Sequence, residues 1–98
     1  MSPVAVAVSC FRRVLELDAN NVSANNNLGL ALKDQGDIDG AFKCFQQAAD
    51  CDPHSVEVQS NLGLMLQELG QREAALSAFR TAIRLAPERT VSWINFAE

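Results

Sequence analysis

The sequence predicts an all-α fold, a stack of antiparallel helix pairs, and three observations carry that expectation. Shifted against itself by 34 residues, the 98-residue chain aligns Asn27-Leu28-Gly29-Leu30 with Asn61-Leu62-Gly63-Leu64. The same shift aligns Leu32 with Leu66, Gly36 with Gly70, Ala41 with Ala75, Phe45 with Phe79, Ala48 with Ala82 and Pro53 with Pro87. Within each copy the apolar residues fall four apart, as at Leu28 and Leu32 or Ala41 and Phe45, which puts each pair on one helical face. Glycine and proline recur at matching offsets, where helices have to stop.

The elements follow in order. Ser2-Pro3 opens a first helix over 3–18, since a serine cap followed by proline in the first turn is a common helix start. Its run Val4-Ala5-Val6-Ala7-Val8 has no basic residue before it and is too short to cross a bilayer, so it is neither a signal sequence nor a span. Asn20-Asn21 form a turn. A helix over 22–35 presents Leu28 and Leu32, Gly36 ends it, a helix over 38–51 presents Ala41 and Phe45, and Pro53 stops that one. Helices over 56–69 and 72–85, punctuated by Gly70 and Pro87, repeat the pattern, and a last helix is expected over 90–97. Gly29 and Gly63 fall in mid-helix, where glycine costs about 1 kcal/mol relative to alanine unless close packing offsets it. Ala41 and Ala75 are the small surfaces expected opposite them.

A 34-residue period carrying Leu-Gly, Gly, Ala, Phe, Ala and Pro at these offsets resembles the tetratricopeptide repeat, whose unit is a helix-turn-helix. The resemblance runs through nearly the whole chain, because Ala7 and Phe11 stand 34 before Ala41 and Phe45, and Trp93 falls where the family carries a tryptophan. It implies a right-handed α-α superhelix: 3–18 as the second helix of an earlier repeat, full repeats at 22–55 and 56–89, and a truncated first helix at 90–98. Two places depart from the family, with Asn25 and Gln59 where its tryptophan stands and Leu32 and Leu66 where its tyrosine stands. The chain opens on a second helix, closes inside a first helix and carries no polar capping helix, so an excised fragment or one of several chains is expected.

Composition narrows the function. With 8 Lys+Arg against 12 Asp+Glu, a net charge of -4 and no basic cluster, nucleic acid is a poor partner. Three cysteines without a CxxC and a single His54 suggest neither a disulfide framework nor a zinc site, and a reducing, cytoplasmic setting fits. Cys10 and Cys44 occupy equivalent places on successive second helices, packed about 8–10 Å apart and beyond easy disulfide reach, and read as small buried fillers. Trp93 and Phe96 read as packing residues, and the arginines and lysine of the second helices (Arg12, Arg13, Lys43, Arg80, Arg84) as solvated. No nucleophile-base set, phosphate loop or acid pair is visible, so no catalysis, cofactor or metal is expected.

A repeat cannot bury its apolar face alone, so pairs stack and the array curves around a concave face where function is expected. With Leu28 and Leu32 on the packed side, Ser23, Asn27, Leu30 and Asp34 form a stripe turned away from it. The 34-residue shift repeats that stripe as Glu57, Asn61, Leu64 and Glu68, and begins it again with Val91, Asn95 and Glu98. Asn27, Asn61 and Asn95 thus recur at one place, flanked by Asn26 and Ser60. An amide both donates and accepts, so a row of asparagines can pair with the backbone of an extended peptide, Leu30 and Leu64 adding apolar contact. The row resembles the asparagine ladder of protein O-linked N-acetylglucosamine transferases. Equally, asparagine there could serve the fold by bonding a neighbouring helix. The carboxylate clamp of co-chaperones is not matched, since its basic places carry Asn26, Leu30, Val91 and Asn95, and only Asn61 is shared. Asp34, Glu57 and Glu68, partly offset by Lys33, favour neutral or basic ligands.

The expected function is a protein-interaction scaffold or adaptor holding an extended partner segment on the concave face. Its alternatives are a substrate-recruiting array of a larger enzyme such as an O-linked N-acetylglucosamine transferase, and a spacer with no ligand. Self-association is expected through Val4, Val8, Phe11, Trp93 and Phe96 on the uncovered faces of the terminal helices.

Overall fold

A computed structural model describes residues 2–86, and those residues are helical with short turns between. The helices are α1 (Pro3–Leu17), α2 (Val22–Asp34), α3 (Ile38–Cys51), α4 (Val56–Glu68) and α5 (Arg72–Leu85). They coincide with five expected spans to within a residue at either end. The expected helix over 90–97, with Trp93, Asn95 and Phe96, lies outside the described residues.

Each helix begins and ends for a local reason. Side-chain oxygens of Ser2, Asn21, Asp37 and Ser55 accept from the backbone N–H groups of Ala5, Ala24, Gly40 and Val58, capping α1 to α4. Gln71 gives α5 no such bond. After α2 the N–H of Asp37 donates to the carbonyl of Leu32 at 2.9 Å and that of Gly36 to Lys33 at 2.9 Å. After α4 the pattern recurs, from Gln71 to Leu66 at 2.8 Å and from Gly70 to Gln67 at 3.1 Å. These paired bonds need a left-handed residue at the turn, and Gly36 (φ 83°) and Gly70 (φ 78°) supply it. The reversal makes α2 with α3, and α4 with α5, antiparallel pairs, while α1 packs on α2 and α3 on α4.

The core runs through the stack. Ala41, Phe45 and Ala48 of α3 are fully buried among Leu28 and Leu32 of α2 and Val58, Leu62 and Met65 of α4. What closes on the mid-helix glycines is the phenylalanine ring, a correction to the alanines expected there. A Cβ built on Gly29 would lie 2.7 Å from Phe45 Cε1, and one on Gly63 would lie 2.7 Å from Phe79 Cε1. Alanine one turn earlier, at 41 and 75, is small and buried, but the atoms nearest the glycine belong to the ring.

The outer face of α1 also differs from expectation. Val8, Phe11 and Leu15 pack toward the core and Val4 is half-buried, so the exposed apolar side chains are Val6, Val14 and Leu17, the last 91% exposed. Cys10 stands on that same outward side and is exposed, so it is not a buried filler, and Cys44 is half-buried. Positions 6, 10, 14 and 17 follow the helical repeat, and among the described residues no element packs on that side. All three cysteines are free.

Two outcomes follow. Gly29→Val puts a branched side chain into the Phe45 ring and should lower unfolding free energy by about 2 kcal/mol; Gly63→Val should cost less, because Phe79 is only half-buried and can yield. Urea titration of both variants checks the difference. Burial raises the Cys44 thiol above the ordinary range, with Asp37 adding to the rise and Arg12 opposing it. A maleimide at mildly alkaline pH should therefore label Cys44 last, behind the exposed Cys10 and Cys51, and peptide mapping against time reads the order.

Candidate peptide-binding face

Three consecutive asparagines begin the candidate face, and successive residues of a helix point about 100° apart, so each meets different surroundings. Asn25 is buried and turned to the inter-repeat turn, where its Nδ2 donates to the carbonyls of Ala19 and Asn21, both at 3.2 Å. Gln59, one repeat on, is buried likewise and its Nε2 donates to the Pro53 carbonyl at 3.1 Å. Both reach six residues back, so an amide holds each turn where the repeat pattern expects an indole. Sequence reasoning treated these residues only as departures; their matching place in both copies was the available signal.

Asn26 joins α2 to α4. It is 7% exposed, its Nδ2 donates to Glu57 Oε1 at 3.2 Å, and its Oδ1 accepts from Asn61 Nδ2 at 3.0 Å. Its amide is therefore occupied at both ends by the next repeat, so Asn26, expected to flank the row, is bonded to α4. Glu57, expected to bias the face negatively, spends one carboxylate oxygen on that bond. Asp34 and Glu68 remain exposed and Lys33 is half-buried.

Asn27 and Asn61, equivalent by the 34-residue shift, have different partners. Asn27 is half-buried, and its Nδ2 donates to Ser23 Oγ one turn earlier at 3.4 Å, a long bond. Asn61 is half-buried and keeps its Oδ1 without a hydrogen bond among the described residues. Beside it, three residues on, Leu64 is 41% exposed, while Leu30 and Ser60 are half-buried. Asn27, Leu30 and Asp34 also line an open groove of about 340 Å³ against Pro3, Val4, Ala7 and Phe11 of α1, with Ala31 in its wall. Asn95 lies outside the described residues. The structure thus joins Asn61 to Asn26 across repeats and sets Asn27 with Leu30 at the α1 edge. Among the described residues no helix is long and apolar enough to cross a membrane.

A family model, the tetratricopeptide repeat, matches residues 20–88. Among solved structures, one of MamA is 21% identical with a TM-score of 0.80, covering 89% of this chain and 51% of that one. A structure of MamA MSR-1 is 29% identical with a TM-score of 0.76, covering 89% of this chain and 49% of that one. The second tetratricopeptide repeat unit of Spaghetti (RPAP3), solved bound to the HSP90 peptide SRMEEVD, is 23% identical with a TM-score of 0.80, covering 84% of this chain and 76% of that one. The chain spans about half the length of the MamA chains it matches. No curated protein matches it.

Asn26→Ala removes the acceptor of Asn61 and the donor to Glu57 together, and should cost about 1–2 kcal/mol of stability. Asn27→Ala loses only the long bond to Ser23 and should stay within about 0.5 kcal/mol of the parent. Thermal melts followed by circular dichroism separate the two.

Proposed function

Because the chain belongs to the tetratricopeptide repeat family, we propose that it is a protein-interaction module, built on repeats at 22–55 and 56–89, that holds an extended segment of a partner polypeptide along the face formed by α2 and α4. The carrying observation is the pairing of Asn61, whose amide oxygen is left without a partner among the described residues, with the exposed side chain of Leu64 one turn on. An amide that still accepts can take a backbone N–H of the ligand, and a neighbouring leucine covers its apolar side chains. Asn27 and Leu30 would extend the strip one repeat earlier, Asn95 one repeat later, and Ser60 would border it, while Asn26 positions Asn61 from behind.

The peptide-bound structure of the Spaghetti (RPAP3) repeat unit supports a peptide as the kind of ligand this fold takes. The peptide there is acidic, whereas the places of a carboxylate clamp here hold Asn26 and Leu30, and Asp34 and Glu68 are exposed; a neutral or basic segment suits this face better. A substrate-recruiting segment of a larger enzyme would use the same residues. Self-association has support of its own in Val6, Val14 and Leu17, exposed together on the outer side of α1. The three free cysteines suit a reducing, cytoplasmic setting.

Peptides selected from a random library against the whole chain provide the test. Asn27→Ala with Asn61→Ala should weaken them by about 1 kcal/mol for each hydrogen bond lost. Because Asn61 also bonds Asn26, the melting temperature is the control; a double variant that unfolds early makes the asparagines structural. Leu64→Glu, at an exposed position, is the second arm, with the same melting control. Peptides that bind both variants as they bind the parent place the ligand elsewhere.

A further inference from the structure

The side-chain hydrogen bonds that tie α2 to α4 run in one direction, and an exposed carboxylate sets it. Asn26 Nδ2 donates to Glu57 Oε1 at 3.2 Å, and Asn26 Oδ1 accepts from Asn61 Nδ2 at 3.0 Å. A carboxamide keeps nearly the same shape when turned end for end, so shape alone does not decide which atom of Asn26 or Asn61 faces its neighbour. A carboxylate decides it, because it accepts and has no proton to give. Asn26 has to turn its nitrogen to Glu57, which leaves its oxygen for Asn61. Asn61 then has to turn its nitrogen to Asn26, and its own oxygen is the atom left over, without a hydrogen bond among the described residues. Reversing Asn26 would set oxygen against oxygen at both of its contacts or leave a buried amide unsatisfied.

The equivalent place in the preceding repeat lacks this control. Ser23 stands 34 before Glu57 and Asn27 stands 34 before Asn61, and Asn27 Nδ2 donates to Ser23 Oγ at 3.4 Å. A hydroxyl donates as readily as it accepts, so Ser23 leaves Asn27 free to present either atom.

We propose that Glu57 is a positioning residue that makes Asn61 a one-way contact, so that the face takes a backbone N–H of the partner at Asn61 and refuses a carbonyl there. The proposal rests on the extended-peptide reading of this face and adds the polarity of its central contact. A row of amides ending on a carboxylate is also polarised along its length, which strengthens the last oxygen as an acceptor. The partner residue at Asn61 is then one with a free backbone N–H, and proline, which has none, is excluded from that place. Asn27 accommodates either group.

Glu57→Lys is the test, because an ammonium group only donates. It should draw Asn26 Oδ1 to itself, turn Asn26 Nδ2 to Asn61 Oδ1, and leave Asn61 Nδ2 facing the ligand. The probe is a peptide selected from a random library against the whole chain, resynthesised with each backbone amide in turn replaced by an ester, which puts oxygen in place of N–H. One ester should weaken binding to the parent about tenfold, and binding to Glu57→Lys or Asn61→Ala less than about twofold. Glu68→Lys makes the same charge change about 16 Å further along α4 and should keep the full ester effect. In the free protein, scalar coupling across the hydrogen bond should link Asn61 Nδ2 to Asn26 Cγ in the parent, and Asn26 Nδ2 to Asn61 Cγ in Glu57→Lys. Couplings that keep the parent direction in Glu57→Lys overturn the proposal, as does an ester effect equal in Glu57→Lys and the parent. A parent that tolerates every ester but loses the peptide when a lysine or arginine is replaced has a side-chain cation at Asn61, and this overturns it too. A library that yields no peptide fails the reading of the face and takes the proposal with it, while the couplings show separately whether the orientation failed.

Discussion

The structure depends on a phenylalanine ring resting on bare helix backbone. Phe45 lies against Gly29 and Phe79 against Gly63, at distances that leave no room for a Cβ. Glycine is poor in mid-helix, but here its missing side chain lets two helices approach until their apolar stripes interlock, and the buried ring outweighs the roughly 1 kcal/mol of lost propensity. From that approach the rest follows: with the pairs close, the connecting turn must be tight, and the left-handed glycines at 36 and 70 with their paired backbone bonds make it so.

Close pairs do not by themselves make a stack. Between repeats the contact is partly apolar, through Ala48, Ala49 and Val58, and partly made of side-chain amides. Asn25 and Gln59 hold the inter-repeat turns, and Asn26, Asn61 and Glu57 tie α2 to α4. Buried amides of this kind are directional and lose more when half-made than apolar contacts do.

How much of this was legible in the sequence varied with how local the cause was. Helices and turns were, because Leu28 and Leu32, Gly36 and Pro53 act on their own neighbourhood and recur at one period. The partner of Gly29 was not, since a period gives the face of a residue but not the reach of its side chain, and it is the long side chain of Phe45 that comes nearest the glycine. The outer face of α1 was legible only in part, for a related reason. Val8 and Phe11 pack partly on the core and Val4 and Phe11 line the open groove beside α2, while Val6, Val14 and Leu17 are the more exposed apolar side chains of α1. For the candidate face, the stripe was legible and its division was not.

That division bears on how polar surfaces of repeat arrays are read. Asn25, Asn26 and Asn27 are chemically identical and adjacent, yet one holds a turn, one bridges two repeats and one stands at the edge of a groove. A recurring asparagine therefore indicates a recurring need for an amide, and whether a ligand or a neighbour meets that need depends on which way each helix is rotated. Asn61 is instructive because it does some of both: its N–H bond serves the stack, and its oxygen remains without a partner among the described residues. A ligand bonded to that oxygen would also hold the amide in the orientation that reaches Asn26.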